Sequence, residues 1–200
     1  MPRISVVTPT WNRGHLLQYS IQSLIDQTFK DFEIIVADDG STDNTKHVLD
    51  KLKEREPRLK CIYLKHQGIV PTLLAGNEAA TGEIIVKHDS DDMSMPDRLS
   101  KIDQYFKENP DTEIMYAGMY QTYESDDYLF RRIYIPALPI DRERILKEQY
   151  IPGFFAYTKK FITEVPYRKC YCSEDWLLLL DAVLQNRKIG YLDQGLYEYA

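Results

Sequence analysis

Cysteine is scarce and odd in number. Cys61, Cys170 and Cys172 are the only three in 200 residues, too few for a disulfide framework, so reduced thiols are expected. The Cys170-Tyr171-Cys172 pair has no second Cys or His pair at zinc-ligand spacing, which leaves a structural zinc unsupported. Long apolar runs are missing too. Stretches such as 176–180 fall far short of the roughly 20 residues that span a bilayer, so no transmembrane segment is expected. Met1 leads into a strand pattern rather than a signal peptide, and the chain reads as cytoplasmic. Positive charge is in deficit, 25 Lys plus Arg against 31 Asp plus Glu, a formal −6 that argues against a nucleic-acid partner. Repeats, low-complexity tracts and linkers are absent, which makes one domain over 1–200 the simplest organisation.

What is present is an ordinary globular composition, 44% hydrophobic and 28% charged, that needs no staples to fold. The first ninety residues alternate β-rich runs with helical patterns, the mark of an α/β fold around a mostly parallel central sheet flanked by helices. Strands are expected over 3–8, 32–38, 59–65 and 83–88, each bounded by turn formers. Apolar spacings near 3 and 4 predict helices over 15–26, 43–55 and 72–80, and Pro96 suits the first turn of another over 96–109. The second half is mixed. Strands are expected over 113–123 and 128–134, joined across 124–127, then a proline-bearing loop over 135–139. A helix over 141–149, a strand over 153–158, a helix over 173–186 and a last strand over 189–193 complete the reading.

Acids gather at the strand ends. Asp38 and Asp39 close the second strand; Asp89, Asp91 and Asp92 close the fourth. In open α/β sheets ligands bind outside the carboxyl ends of the strands, so five carboxylates are expected to converge there. Carboxylate oxygens with no softer ligand beside them suit Mg²⁺ or Mn²⁺, ions that keep open positions for substrate phosphates. A nucleoside diphosphate then becomes a sensible partner. Turn and cap chemistry is the competing reading, and for Asp43 it is preferred. An EF-hand fails because counting from Asp89 puts Met93 and Ser94 at positions 5 and 6. A dehalogenase-type phosphatase would carry its Asp-x-Asp after the first strand. Dinucleotide, P-loop and nucleophile-elbow motifs do not occur.

Four blocks in register resemble a family 2 glycosyltransferase of the GT-A fold, inverting and non-processive: Val6-Val7-Thr8-Pro9-Thr10-Trp11-Asn12-Arg13, then Ile35-Val36-Ala37-Asp38-Asp39-Gly40-Ser41-Thr42-Asp43, then 82–92 with Met95-Pro96-Asp97-Arg98 behind it, and Glu174-Asp175. The resemblance implies a nucleotide-sugar-binding half over 1–110 and an acceptor-binding half over 111–200, ending where the family often continues. It implies donor contacts from Pro9, Thr10, Trp11, Arg13, Asp38, Asp39, Asp89 and Ser90. Asp91 and Asp89 correspond to the metal-binding Asp-x-Asp element for Mn²⁺ or Mg²⁺. Asp175 corresponds to the catalytic base, with Glu174 beside it and Ser173 as a candidate helix cap.

The implied reaction moves a sugar from a nucleotide-diphosphate sugar to a hydroxyl of a saccharide or lipid-linked acceptor, with inversion. Uridine as the base follows from the resemblance alone. The work would be done in the cytoplasm, with peripheral association at the inner membrane face compatible with a lipid-linked acceptor. His66 and Gly76 stand where the family usually has Asn and Arg, and the Gln-x-x-Arg-Trp signature of processive synthases is absent. Two other readings of the same acids are a nucleotide- and metal-binding fragment without turnover and a metal-dependent phosphohydrolase.

Overall fold

The alternating patterns of the first ninety residues become alternating strands and helices in the computed structural model, which describes residues 1–124, 130–170 and 173–199. Strand β1 (Ile4–Thr10), helix α1 (Gly14–Ile25), β2 (Phe32–Asp38), α2 (Thr45–Arg55), β3 (Leu59–Tyr63), α3 (Ile69–Ala79) and β4 (Ile84–Lys87) lead into the short β5 (Met93–Ser94) and α4 (Arg98–Glu108). Then come β6 (Ile114–Glu124), β7 (Phe130–Ile135), α5 (Arg142–Ile145), β8 (Phe155–Thr158), α6 (Lys159–Glu164), α7 (Glu174–Leu184) and β9 (Ile189–Tyr199). Among the described residues the strands form one sheet in the order β3-β2-β1-β4-β8-β6-β9-β5, with β7 paired to β6.

The first four of these are parallel, and β8 runs antiparallel to both β4 and β6. Every residue of β1, β2 and β4 is buried, because packed layers cover both faces of the sheet; this is why these strands read as nearly unbroken apolar runs. Register alternation splits the core in two. Ile4, Val6, Ile34 and Val86 pack with α1, α2 and α4, whereas Val7, Ile35 and Ile85 pack with α3 and α7. On α1, Leu17, Ile21 and Leu24 lie one or two turns apart and are fully buried, each contributing about 1.5–3 kcal/mol. The chain winds outward from β1 through β2 to β3, then returns so that β4 pairs on the other side of β1. That reversal opens a crevice at the carboxyl ends of β1 and β4.

Several sequence expectations change. The helix expected over 141–149 contracts to the single turn α5, capped by the Asp141 carboxylate, which accepts from the amides of Glu143 and Arg144 at 2.9 and 3.0 Å. Residues 147–149 are exposed and offer no apolar face to bury, so the helix does not extend. The helix expected from Pro96 starts at Arg98, and the Pro96 carbonyl instead accepts from the Thr28 amide. The last strand runs to Tyr199 rather than 193: Asp193-Gln194-Gly195 looks like a turn but is a shift in the β6–β9 register. Ser173 stands at the N-cap position of α7, as expected, but at a φ of +61° it makes no side-chain cap bond. Strand β5 and helix α6 were not expected; both are too short to show a period. The connection expected across 124–127 and the strand start expected at 128 fall largely outside the described residues, as does Cys172.

Candidate functional site

The β1–α1 loop and the turn after β2 are stapled together. Asn12, at a φ of +52°, accepts through its side-chain carbonyl from the amides of Thr42 and Asp43, and its own amide donates to Ser41 Oγ at 2.8 Å. Asp38 is a clamp within the turn: it is buried and accepts from the Ser41 amide at 3.0 Å. Asp43 ties the two helix starts together, taking the Thr45 amide at 3.0 Å and the Gly14 amide at 3.2 Å, although the N-cap position of α2 is its neighbour Asn44. Gly40, at φ +69°, supplies the left-handed residue of the turn.

These elements, the start of α3, the loop after β4 and the start of α7 enclose a cavity of about 490 Å³. Pro9, Thr10, Trp11, Arg13, Asp39, Asp89, Ser90, Asp91 and Glu174 all line it. Asp38 and Asp175 do not, nor does Asp92, which is buried outside it; three of the five strand-end carboxylates therefore reach the cavity. Trp11 is half exposed, and one face stacks on His66 with centroids 4.4 Å apart and planes 18° apart. Asp39 accepts from the amides of Gln67 and Gly68, both at 2.8 Å, and lies 2.8 Å from His66 Nδ1. His66 is a wall residue the sequence reading set aside as a departure. At Gly76, the other departure, a Cβ would lie 2.4 Å from a Val7 methyl, so α3 packs directly on β1 there. Thr10 lines the cavity, but its hydroxyl is buried away from the cavity surface without a hydrogen-bond partner.

Each acid of the Asp-x-Asp run has a cation. Asp91 pairs with Arg13, whose side chain is 43% exposed, and Asp89 lies 3.1 Å from Lys87 Nζ. Lys87 ends β4 with its side chain 2% exposed, and its Nζ is also 2.7 Å from Asp175 Oδ2 and 3.8 Å from Glu174 Oε1. The other Asp175 oxygen accepts from the Tyr167 hydroxyl at 3.3 Å. Burial, the largest influence, drives the Asp175 carboxyl up; Lys87 pulls it back, and Asp89 and Glu174 push it up again, to about 7. Burial works against the Lys87 ammonium, but the carboxylates around it prevail and raise its pKa.

His88 is a fully buried hub. Its Nδ1 accepts from Arg98 at 3.1 Å and its Nε2 lies 2.9 Å from Ser20 Oγ. Burial, with Arg98 and Lys87 nearby, holds its pKa well below the ordinary value, so it is a neutral donor to Ser20. Arg98 also donates to the Lys87 carbonyl at 2.8 Å, fixing the strand end that carries the acids.

Among the described residues no three His, Cys, Asp or Glu side chains converge as a metal cage. Two cavity-lining carboxylates, Asp89 and Asp91, nevertheless fit a hard divalent ion that takes its remaining oxygens from a diphosphate. No helix among the described residues is long and apolar enough to cross a membrane.

A crevice whose acids and aromatic pair line a ligand-sized cavity stands at the switch point where open α/β sheets bind their ligands, and known structures share this fold. The chain superposes on S. aureus TarS 1–349 in complex with UDP with a TM-score of 0.78 at 22% identity, over 98% of this chain and 60% of that one. It superposes on the mannosyltransferase PcManGT from Pyrobaculum calidifontis, in complex with GDP-Man and Mn²⁺, with a TM-score of 0.76 at 16% identity, over 100% and 57%. The fold is GT-A. Residues 5–167 match glycosyl transferase family 2, and the chain belongs to that family. It is 40% identical over 106 residues to the GalNAc(5)-diNAcBac-PP-undecaprenol beta-1,3-glucosyltransferase of Campylobacter jejuni, covering 52% of this chain and 34% of that protein. Against an uncharacterized glycosyltransferase of Nostoc the identity is 36% over 115 residues, covering 57% and 36%. The matched segment thus spans about a third of either relative.

Proposed function

We propose that this chain transfers a sugar, with inversion, from a nucleotide-diphosphate sugar to a hydroxyl of a saccharide or lipid-linked saccharide acceptor. The observation that carries the reading is the cavity at the β1–β4 switch point, which gathers Asp39, Asp89, Asp91 and the Trp11–His66 pair in front of the buried Asp175. The first 110 residues form the donor side and the rest shape the acceptor side.

Trp11 and His66 offer aromatic faces to a base, and Asp39 offers a polar partner to the nucleoside. Uridine is the proposed base, in line with the UDP named in the TarS complex. A Mg²⁺ or Mn²⁺ ion held by Asp91 and Asp89 would neutralise charge developing on the diphosphate. Arg13 is the exposed partner of Asp91 and swings aside as the donor enters, whereas Lys87 is buried and stays. Asp175 then takes the proton from the acceptor hydroxyl. The acceptor oxygen bonds to the anomeric carbon as the bond to the diphosphate oxygen breaks, and the nucleoside diphosphate leaves with the electron pair. An undecaprenol-linked glycan, the kind of acceptor named for the Campylobacter relative, is one member of the proposed acceptor class.

Calorimetric titration of UDP, GDP and dTDP, with and without Mn²⁺, tests the reading on this chain and on Asp91→Asn. UDP is expected to bind at least about tenfold more tightly with Mn²⁺, and Asp91→Asn to lose that gain. A wild-type chain that binds no nucleotide under either condition overturns it.

A further inference from the structure

Four features set Lys87 apart from an ordinary buried lysine. Its position is fixed from the backbone, since it is in register with Val7 of β1 and its carbonyl is held by Arg98 at 2.8 Å. Its ammonium sits among three carboxylates, at 2.7 Å from Asp175, 3.1 Å from Asp89 and 3.8 Å from Glu174. It does not line the donor cavity, although Asp89 and Glu174 do. And its closest partner, Asp175, has no slack, being held on its other oxygen by Tyr167 and backed by Gly153, where a Cβ would come within 2.6 Å of Oδ2.

Stability alone does not explain this cluster. One carboxylate would satisfy one buried ammonium; three around it, two of them lining the cavity, leave surplus negative charge at one place, which costs stability unless the site needs the acids. An ammonium is also a compact point charge on a flexible stem, suited to reaching several acids from one strand end.

We propose that Lys87 is a positioning residue for sugar transfer, tying the carboxylate of Asp175 to that of Asp89 so that the base stands at a fixed place relative to the phosphate end of the donor. This rests on the transferase reading above. Lys87 touches neither donor nor acceptor; it acts through Asp175. Losing it therefore slows the transfer step and leaves donor binding nearly unchanged.

The test is a double-mutant cycle of Lys87→Met and Asp175→Asn, read as UDP release from UDP-glucose and UDP-N-acetylglucosamine with Mn²⁺, together with UDP affinity by calorimetry. Lys87→Met is expected to keep UDP affinity and donor KM within about threefold of wild type while kcat falls about 100-fold, the usual cost of a misplaced group. In the Asp175→Asn background the same change is expected to alter the rate by less than about threefold, because its effect runs through a base no longer there. Should Lys87→Met not fold, as circular dichroism would reveal, Lys87→Gln takes its place, with the same non-additivity expected. A full kcat in the single variant, or losses that multiply in the double variant, overturns the role of Lys87 alone. A wild-type chain that neither binds UDP nor releases it from these donors overturns the transferase reading, and this inference with it.

Discussion

Gly153→Ala is the change that isolates the base most cleanly. A Cβ built at Gly153 lies 2.6 Å from Asp175 Oδ2 and 3.2 Å from its Cγ, against the 3.4 Å at which ordinary contact begins. Lys87 and Tyr167 hold the carboxylate on its two oxygens, so it cannot rotate away without losing one of them. Either the 150–154 loop or the carboxylate must then yield by about 0.8 Å, and a displacement near 1 Å in a reacting group typically costs about 100-fold in rate. Overpacking adds a stability loss of about 1–3 kcal/mol. Gly153 does not line the donor cavity, so nucleotide affinity should stay within about threefold. Steady-state UDP release, with kcat and donor KM measured separately, and a thermal melt provide the comparison. A Gly153→Ala chain with wild-type kcat, or one whose KM rises as its kcat falls, would show that Asp175 is not the constrained group the geometry makes it.

Two further expectations concern pH. With its carboxyl raised to about 7, and active as a base only when ionised, Asp175 should give a kcat/KM that climbs about tenfold per pH unit below that value and levels off above it, a limb that Asp175→Asn abolishes. A flat profile through pH 6–8 in the wild type would refute this. Glu33 governs stability instead. Burial opposes its charge, but bonds from Lys60 at 2.5 Å, Ser5 at 2.6 Å and Thr81 hold its pKa down from 4.5 to about 2. A depressed carboxyl stabilises the fold fully above its unfolded value and loses that contribution as pH falls toward its folded one. Glu33→Gln should thus cost about 2 kcal/mol at pH 7, allowing for the exposure of Lys60, and the gap to wild type should close between pH 4.5 and 2 in urea titrations. A gap that persists or widens on acidification would be evidence against it.

The first half was legible because its signals are local. Strands buried on both faces leave unbroken β-branched runs, and the acids at their ends stand out against them. Even there, side-chain direction was hidden: Asp38 and Asp39 are neighbours, yet one turns in to clamp Ser41 and the other lines the cavity. Lys87 and Gly153 escaped notice for a different reason. Their meaning lies in contacts with Asp175, 88 and 22 residues further along, and no periodicity carries that information. His88, beside the acidic run, is kept neutral by burial and by Arg98, which comes from another element and so leaves no local signal. In the second half, α5 and α6 are shorter than the two turns over which a helical period becomes visible.

For a chain of net charge −6 to receive the proposed diphosphate, it must cancel repulsion locally, since two unit charges 4 Å apart repel by about 4 kcal/mol in a partly buried setting. The two cations at the acidic run divide that task by burial. Arg13 lies at the open side, pairs with Asp91 and is 43% exposed, so it can exchange that partner for solvent or phosphate at little cost. Lys87, with its side chain 2% exposed, has no solvent to turn to, and moving it would strand the buried Asp175 unpaired. The site therefore couples an exchangeable cation at the cavity with a fixed one behind Asp175, the proposed base. This is why loss of Asp91 should register in nucleotide binding, and loss of Lys87 in turnover.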